Sequence, residues 1–177
     1  PRIKLHIQVS NKFVRLAERE ADVAIRLTNT PQDTLIGVRL ATVSSAVYGS
    51  KKYCARLRQR GDRPAWLGIE CCGYHMSWTK AACPDERHGF FVDDTLLTLA
   101  ALREHQGLAF LPCFMGDGDP VLERFAAPDP QHDLGLWLLY HRDLRRAERV
   151  RRFRSHMIDE VAKIADRFEG RIAETLE

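Results

Sequence analysis

The run Ala21-Asp22-Val23-Ala24-Ile25-Arg26-Leu27 limits the possible folds more than any other stretch. Three apolar residues in a row follow an acid, and an arginine interrupts them before the last leucine. This reads as a short strand buried on both faces, the habit of a parallel sheet covered by helices. Upstream, Ile3, Leu5, Ile7 and Val9 alternate with Lys4, His6 and Gln8, the period of a strand with one apolar face. Between the two, Ser10-Asn11 caps a short helix whose apolar positions are Phe13, Leu16 and Ala17. A strand, a helix and a second strand in such close succession make a βαβ unit with parallel strands.

A second βαβ unit follows. Gly89 opens a strand at Phe90 to Val92, and Asp93-Asp94 precede the leucine-rich helix Thr95 to Leu102. Gly107 ends that helix, and Leu108 to Leu111 form a buried strand closed by Pro112. Between the two units, 35–40 and 42–48 read as strands. Lys51 to Arg60 reads as a helix with Ser50 as its N-cap and Gly61 as its stop. The basic face of this helix (Lys51, Lys52, Arg56, Arg58, Arg60) reads as solvated. A weak strand runs from Leu67 to Cys71. Asp119-Pro120 opens a turn of helix, and Leu136 to Tyr140 is an apolar strand. A long helix over 145–168 carries one stripe, Val150, Phe153, Met157, Val161, Ile164 and Phe168, and Gly170 caps it. These elements predict an α/β fold of two lobes. In open parallel sheets ligands sit beyond the carboxyl ends of the strands. That rule points to Ser10, Asn11, Arg26, Leu27, Thr28, Asp93, Asp94 and Thr95. Arg26 suits a carboxylate or phenolic oxygen because its planar fork matches two oxygens. Asp94 also suits a plain N-cap.

Several functional classes are disfavoured. The net charge of +3 is too small to mark the whole chain as a nucleic-acid binder. No apolar run approaches the ~18 residues of a membrane span, and no signal-peptide pattern is present. The five cysteines, an odd number without regular spacing, fit free thiols in a reducing cytosol. Cys71, Cys72, His75, Cys83 and His88 crowd together but match no zinc-finger spacing, so no metal is expected. Ser77-Trp78-Thr79-Lys80 matches the S-x-x-K of acyl-transfer enzymes but lacks the S-D-N and K-T-G partners. The arginine run at 142, 145, 146, 149, 151, 152 and 154 reads as an ion-paired face, with an acidic partner or a weak DNA-backbone contact as its functional alternative.

The segments "RIKLHIQVS", "LAEREADVAIRL", "DTLIGVRLATVSSAVYGSKKY", "PAWLG", "FFVDDTLLTLAALREHQGLAFLPC", "DPVLERF" and "LWLLYHRDLRRAERVRRFRSHM" occur in the order and at the spacing of one family. From about Arg2 to about Phe168 the chain resembles the effector-binding domain of a LysR-type transcriptional regulator. The resemblance implies an α/β, type II periplasmic-binding-protein-like fold, with a small-molecule effector in the cleft between two lobes. Lobe I would be 1–47 with 141–177, lacking the family's first strand and helix, and lobe II would be 48–140. The effector would be a small organic acid, amino acid or aromatic metabolite, held by the eight site residues named above. The resemblance further implies a cytoplasmic homodimer or tetramer without a cofactor and without catalysis. Promoter DNA would be bound only through an N-terminal helix-turn-helix absent from this sequence. The alternative is a solute-binding protein of a transporter with the same fold. One local departure is "HQGLAFLP", where the family has a second glycine, so the turn before that strand is expected to differ.

Overall fold

The computed structural model describes residues 3–9, 21–69 and 88–171. The chain divides into two compact units, Pro1–Val43 with Leu134–Asp166, and Ser44–Asp133 with Arg167–Glu177. The chain therefore passes from one unit to the other at Val43/Ser44, Asp133/Leu134 and Asp166/Arg167. The lobes expected from sequence had their limits at 47/48 and 140/141 and kept the whole C-terminal segment in the first lobe.

The first unit is built on a three-stranded sheet, β1 (Ala24–Thr28), β2 (Leu35–Val43) and, last in sequence, β8 (Leu134–His141), with β8 in the middle. Both β1 and β2 run antiparallel to β8. The parallel, doubly buried strand expected at 21–27 is thus an antiparallel edge strand, with Ile25 and Leu27 still 48% and 41% exposed. Among the described residues it has a strand neighbour on one side only, β8. A second difference concerns residues 3–9, which form no strand and leave Ile7 and Val9 79% and 84% exposed. Their alternation supplies a face, but among the described residues no ladder partner meets it. The helix expected after them, with Ser10 and Asn11, lies outside the described residues.

Alternation along β8 sorts the side chains of this sheet. Leu138 and Tyr140 point to one face, where they form a core with Val150, Phe153 and Met157. The last three lie on a helix, here called α4 (Glu148–Lys163). A 3₁₀ turn at Arg142–Arg146 precedes α4, and Ile164 departs from helical geometry after it, so the single helix expected over 145–168 is shorter at both ends. Its apolar stripe is divided accordingly. Phe168, in a short turn of helix at Ala165–Phe168, packs on Phe114 of the second unit's own chain segment, with ring centroids 5.1 Å apart. Phe168 and Phe114 both belong to that unit. The arginine run is largely consumed within the first unit. Arg149 pairs with Asp22 at 2.9 Å, Arg151 and Arg152 pair with Glu148, and Arg154 donates to the Tyr140 hydroxyl at 3.0 Å.

The second unit holds a five-stranded sheet in the order β5-β4-β6-β3-β7. Its strands are β3 (Ser45–Ser50), β4 (Trp66–Ile69), β5 (His88–Val92), β6 (Leu108–Pro112) and β7 (Leu122–Ala126). Strand β4 runs parallel to β5 and β6, whereas β3 is antiparallel to β6 and β7. Every residue of β3 and β6 is buried, the signature of a sheet covered on both faces. Val47, Leu108 and Phe110 pack with Tyr53, Cys54 and Leu57 of α1 (Lys51–Arg60). Ala46, Tyr48, Ala109 and Leu111 pack with Leu102 of α2 (Thr95–Arg103) and with Cys113 of the short α3 (Cys113–Gly116). Each fully buried leucine or phenylalanine here contributes roughly 1.5–3 kcal/mol of transfer free energy.

The helix ends of this unit follow from single residues. The Ser50 hydroxyl accepts the Tyr53 amide at 3.2 Å, and Gly61, at φ 66°, returns its amide to the Leu57 carbonyl. The Asp94 carboxylate accepts the Leu97 amide at 2.9 Å. At the other end of α2, Gly107 is not the stop. Glu104 is the cap residue, and His105 takes the left-handed conformation at φ 61°, with Nδ1 2.8 Å from the Ser50 hydroxyl. Gly107 is required for a different reason, because a Cβ there would lie 2.5 Å from the Ala65 carbonyl oxygen. Asp119-Pro120 forms a turn rather than a helix. The buried Asp119 carboxylate takes the Val121 amide at 3.0 Å and Arg103 Nε at 2.6 Å.

Candidate functional site

The sites expected from sequence fall in both units. In the first, Arg26 and Thr28 share one face of β1, and strand alternation puts Leu27 on the other. Arg26 pairs in register with Trp137 of β8, and Trp137 pairs with Arg39 of β2. Three strands thus carry the row Arg26-Trp137-Arg39 on the face opposite α4. The indole lies on a glycine bed. A Cβ at Gly135 would meet Trp137 Nε1 at 2.4 Å, and one at Gly37 would meet its Cε3 at 3.1 Å. Trp137 Nε1 donates to the Thr28 carbonyl at 3.0 Å, and the Asn29 side chain accepts the Gly135 amide at 3.0 Å. These two bonds tie the outgoing end of β1 to the start of β8. Thr28 Oγ1 accepts the Thr30 amide at 3.0 Å, and Arg39 donates to Thr42 Oγ1 at 3.1 Å.

A half-buried indole between two guanidinium-bearing residues offers a flat apolar surface with flanking positive charge. That is a surface for a planar or carboxylate-bearing small molecule. Sequence reasoning names Arg26 and Thr28 as candidates and does not single out Trp137 and Arg39, which the register sets beside Arg26. The available signal was an indole N–H inside an otherwise apolar strand, which needs a partner when buried.

In the second unit, Asp93, Asp94 and Thr95 sit where β5 gives way to α2. Asp94 is occupied as the cap, and its carbonyl accepts both the amide and the hydroxyl of Thr98 at 3.0 Å. Asp93 is exposed and Thr95 half-buried. Ser10 and Asn11 lie outside the described residues. So do Cys71, Cys72, His75, Cys83 and Ser77. Among the described residues no group of histidine, cysteine and acid side chains is placed to hold a metal.

A second polar cluster stands inside the second unit. The buried Tyr48 hydroxyl donates to Asp117 Oδ1 at 2.7 Å. Arg124 grips the same carboxylate with two bonds, at 2.8 and 2.6 Å, and donates to the Gly170 carbonyl at 2.6 Å. Burial, reinforced by the bond to Asp117, pushes the Tyr48 phenol far above its ordinary range. Burial likewise raises the neighbouring Cys113 thiol. These groups form a closed structural network that fastens residues 167–171 to the unit, together with the bond from the Ser44 amide to the Phe168 carbonyl at 2.9 Å.

Two sheets, the second with helices on both faces, joined by crossings in mid-chain and with polar groups at strand ends, make a two-unit α/β domain, and the family it matches has the type II periplasmic-binding-protein-like fold. The LysR substrate binding domain matches residues 1–162, and the chain belongs to that family, the effector-binding regulatory domain of LysR-type transcriptional regulators. Among solved structures it is similar to the effector domain of the transcriptional regulator AmpR of Pseudomonas aeruginosa. The two are 21% identical over 88% of this chain and 80% of that one, with a TM-score of 0.70. The AmpR effector-binding domain from Citrobacter freundii is 19% identical over 92% and 86%, with a TM-score of 0.72. The regulatory domain of CrgA from Neisseria meningitidis is 19% identical over 86% and 81%, with a TM-score of 0.67. At these identities the likeness is one of fold. No curated protein matches the chain significantly. No helix among the described residues is long and apolar enough to cross a membrane.

Proposed function

We propose that this domain senses a small carboxylate-bearing or aromatic metabolite, with Arg26, Thr28 and Trp137 of the first unit as its contacts, and Leu27, Asp93 and Thr95 kept as candidates from sequence. The observation that carries this reading is the register Arg26-Trp137-Arg39 on one sheet face. It sets Arg26 in register beside Trp137, whose indole two glycines and the Thr28 carbonyl hold in position. Ser10 and Asn11 remain candidates from sequence, and Asp94 acts through its cap. The work of the domain is binding rather than catalysis. Ligand binding shifts the population of domain or dimer geometries, and that shift is passed to a DNA-binding domain. The partners are a second copy of the chain and, through an N-terminal helix-turn-helix, promoter DNA, all in the cytoplasm.

A thermal-melt screen against small organic acids, amino acids and aromatic metabolites tests the reading. A ligand at 100 times its Kd adds about 2.7 kcal/mol, which for a chain of this size moves Tm by about 5–10 °C. Arg26→Ala should abolish the shift of a carboxylate hit while leaving the unliganded Tm within about 2 °C. A hit whose shift survives Arg26→Ala removes Arg26 from the site.

A further inference from the structure

The chain carries two basic runs, and they differ in what neutralises them. The arginines at 149, 151, 152 and 154 are engaged by Asp22, Glu148 and Tyr140. Helix α1 is different. Its sequence, KKYCARLRQR, contains no acid, and only Arg58 finds a carboxylate, Glu123 at 2.8 Å. Among the described residues no carboxylate pairs with Lys51, Lys52, Arg56, Arg60 or Arg63, all of them exposed. The one acid close by in sequence is Asp62, just beyond the Gly61 stop. Lys51 and Lys52 also stand in the first turn, where the helix dipole favours acids and disfavours cations. In the last turn Arg58 and Arg60 suit the dipole, so the unfavourable electrostatics lie in the first turn and in the unpaired like charges, and a bound polyanion would relieve both.

Lys52, Arg56 and Arg60 follow at i, i+4 and i+8, so they run up one flank of the helix about 6 Å apart and span roughly 12 Å. The helix beneath them is rigid. Tyr53, Cys54 and Leu57 are buried in the core, and Ser50 and Gly61 close its ends. The Arg56 guanidinium stacks on the Tyr53 ring at 5.0 Å, and the Tyr53 hydroxyl is itself fixed by the Ala65 amide at 2.7 Å. A regular, pre-ordered row of unpaired cations matches a regular row of anions better than the irregular acids of a protein surface. One strand of a DNA duplex advances 3.4 Å per phosphate along its axis, so ~12 Å meets three or four phosphates.

We propose that the Lys52-Arg56-Arg60 flank of α1 is a docking surface for the phosphate backbone of duplex DNA. It acts without sequence preference, because phosphate contacts carry no base information. The contact is separate from the effector site and from any helix-turn-helix. It gives the regulatory domain its own weak hold on DNA.

The test is fluorescence anisotropy of this chain with a labelled duplex of arbitrary sequence, titrated at several salt concentrations. Three contacts predict a log–log salt slope near −3, so affinity should fall about 50-fold between 50 and 200 mM salt. Lys52→Gln/Arg56→Gln/Arg60→Gln should flatten the slope by about 3 and weaken binding at least tenfold at low salt. Arg151→Gln/Arg152→Gln, whose charges Glu148 already engages, should leave both unchanged. The three side chains are exposed, so the triple variant should keep its Tm. If it does not fold, the three single variants serve instead, each lowering the slope by about 1. Absence of duplex binding at about 20 mM salt overturns the proposal, as does a triple variant that binds like the parent. Tighter capture of poly-glutamate than of duplex, lost in the same variant, overturns it in favour of an acidic protein surface.

Discussion

The position of the Trp137 indole can be tested by a two-site cycle. Gly135→Ala places a Cβ 2.4 Å from Trp137 Nε1 and 3.1 Å from the Thr28 carbonyl oxygen. The indole can rotate away only by giving up the bond that Nε1 donates to that carbonyl at 3.0 Å. Overpacking of this kind costs about 1–3 kcal/mol, and loss of the hydrogen bond adds about 0.5–1.5 kcal/mol. Against this, alanine restricts the unfolded chain and stabilises by about 0.4–1 kcal/mol. The net expectation is a loss of about 1–3 kcal/mol, or roughly 3–8 °C in Tm for a chain of this size. In a Trp137→Val background the valine ends short of the former Nε1 position. There Gly135→Ala should be neutral or slightly stabilising. The coupling energy between the two sites is then about 1.5–3 kcal/mol, well above the ~0.5 kcal/mol scatter of independent sites. Urea denaturation of the four proteins supplies the numbers, and equal costs of Gly135→Ala in both backgrounds would refute the glycine-bed reasoning.

Three further outcomes follow from the structure. Asp94→Ala removes the side-chain cap of α2 and should cost about 0.5–2 kcal/mol in chemical denaturation. Asp94→Asn should recover most of it. Cys54 and Cys113 are fully buried, and burial pushes the Cys54 thiol up to about 11 and raises that of Cys113. Mass mapping after a brief maleimide treatment of native protein at pH 8 should find both unmodified, with labelling only after denaturant is added. Asp22 carries a carboxyl held below its ordinary value, chiefly by its hydrogen bond to Arg149. A depressed carboxyl stabilises above its unfolded pKa and loses that contribution as pH falls through the folded one. Arg149→Gln should therefore raise the Asp22 midpoint in an NMR titration and flatten the decline of Tm below about pH 4, while a midpoint unchanged by the substitution would exclude the pair.

Helix α1 was legible residue by residue because both of its ends are punctuated, by Ser50 and by Gly61. The same holds for the start of α2 at Asp94 and for the apolar β6. What sequence conceals is the identity of neighbours. The alternation of residues 3–9 specifies a face and no partner, and the apolar run at 21–27 does not say that its strand lies at an edge. Gly107 is a better left-handed residue than His105 on intrinsic grounds. Gly107 is taken up by the approach of Ala65, and the histidine is held in that conformation by Ser50. Arg26 and Thr28 could be picked out by their place at a strand end. The row they belong to could not, because Gly37, Arg39, Gly135 and Trp137 come from strands far apart in sequence. The two basic runs look alike as strings of letters, and only the acids folded against one of them tell them apart.

The fastening of residues 167–171 has a consequence in polymer terms. Strand β8 and helix α4 leave the second unit after Asp133, and the chain comes back to it at Arg167. The excursion is a loop with both feet pinned, the second by the Arg124 and Ser44 contacts to Gly170 and Phe168. A pinned loop has far fewer unfolded arrangements than a dangling end, and the penalty for closing it grows only logarithmically with its length. Releasing the clasp would therefore remove the second foot of the span that carries β8, the central strand of the first sheet. Through this connection a contact confined to one unit limits the unfolded arrangements open to a segment of the other.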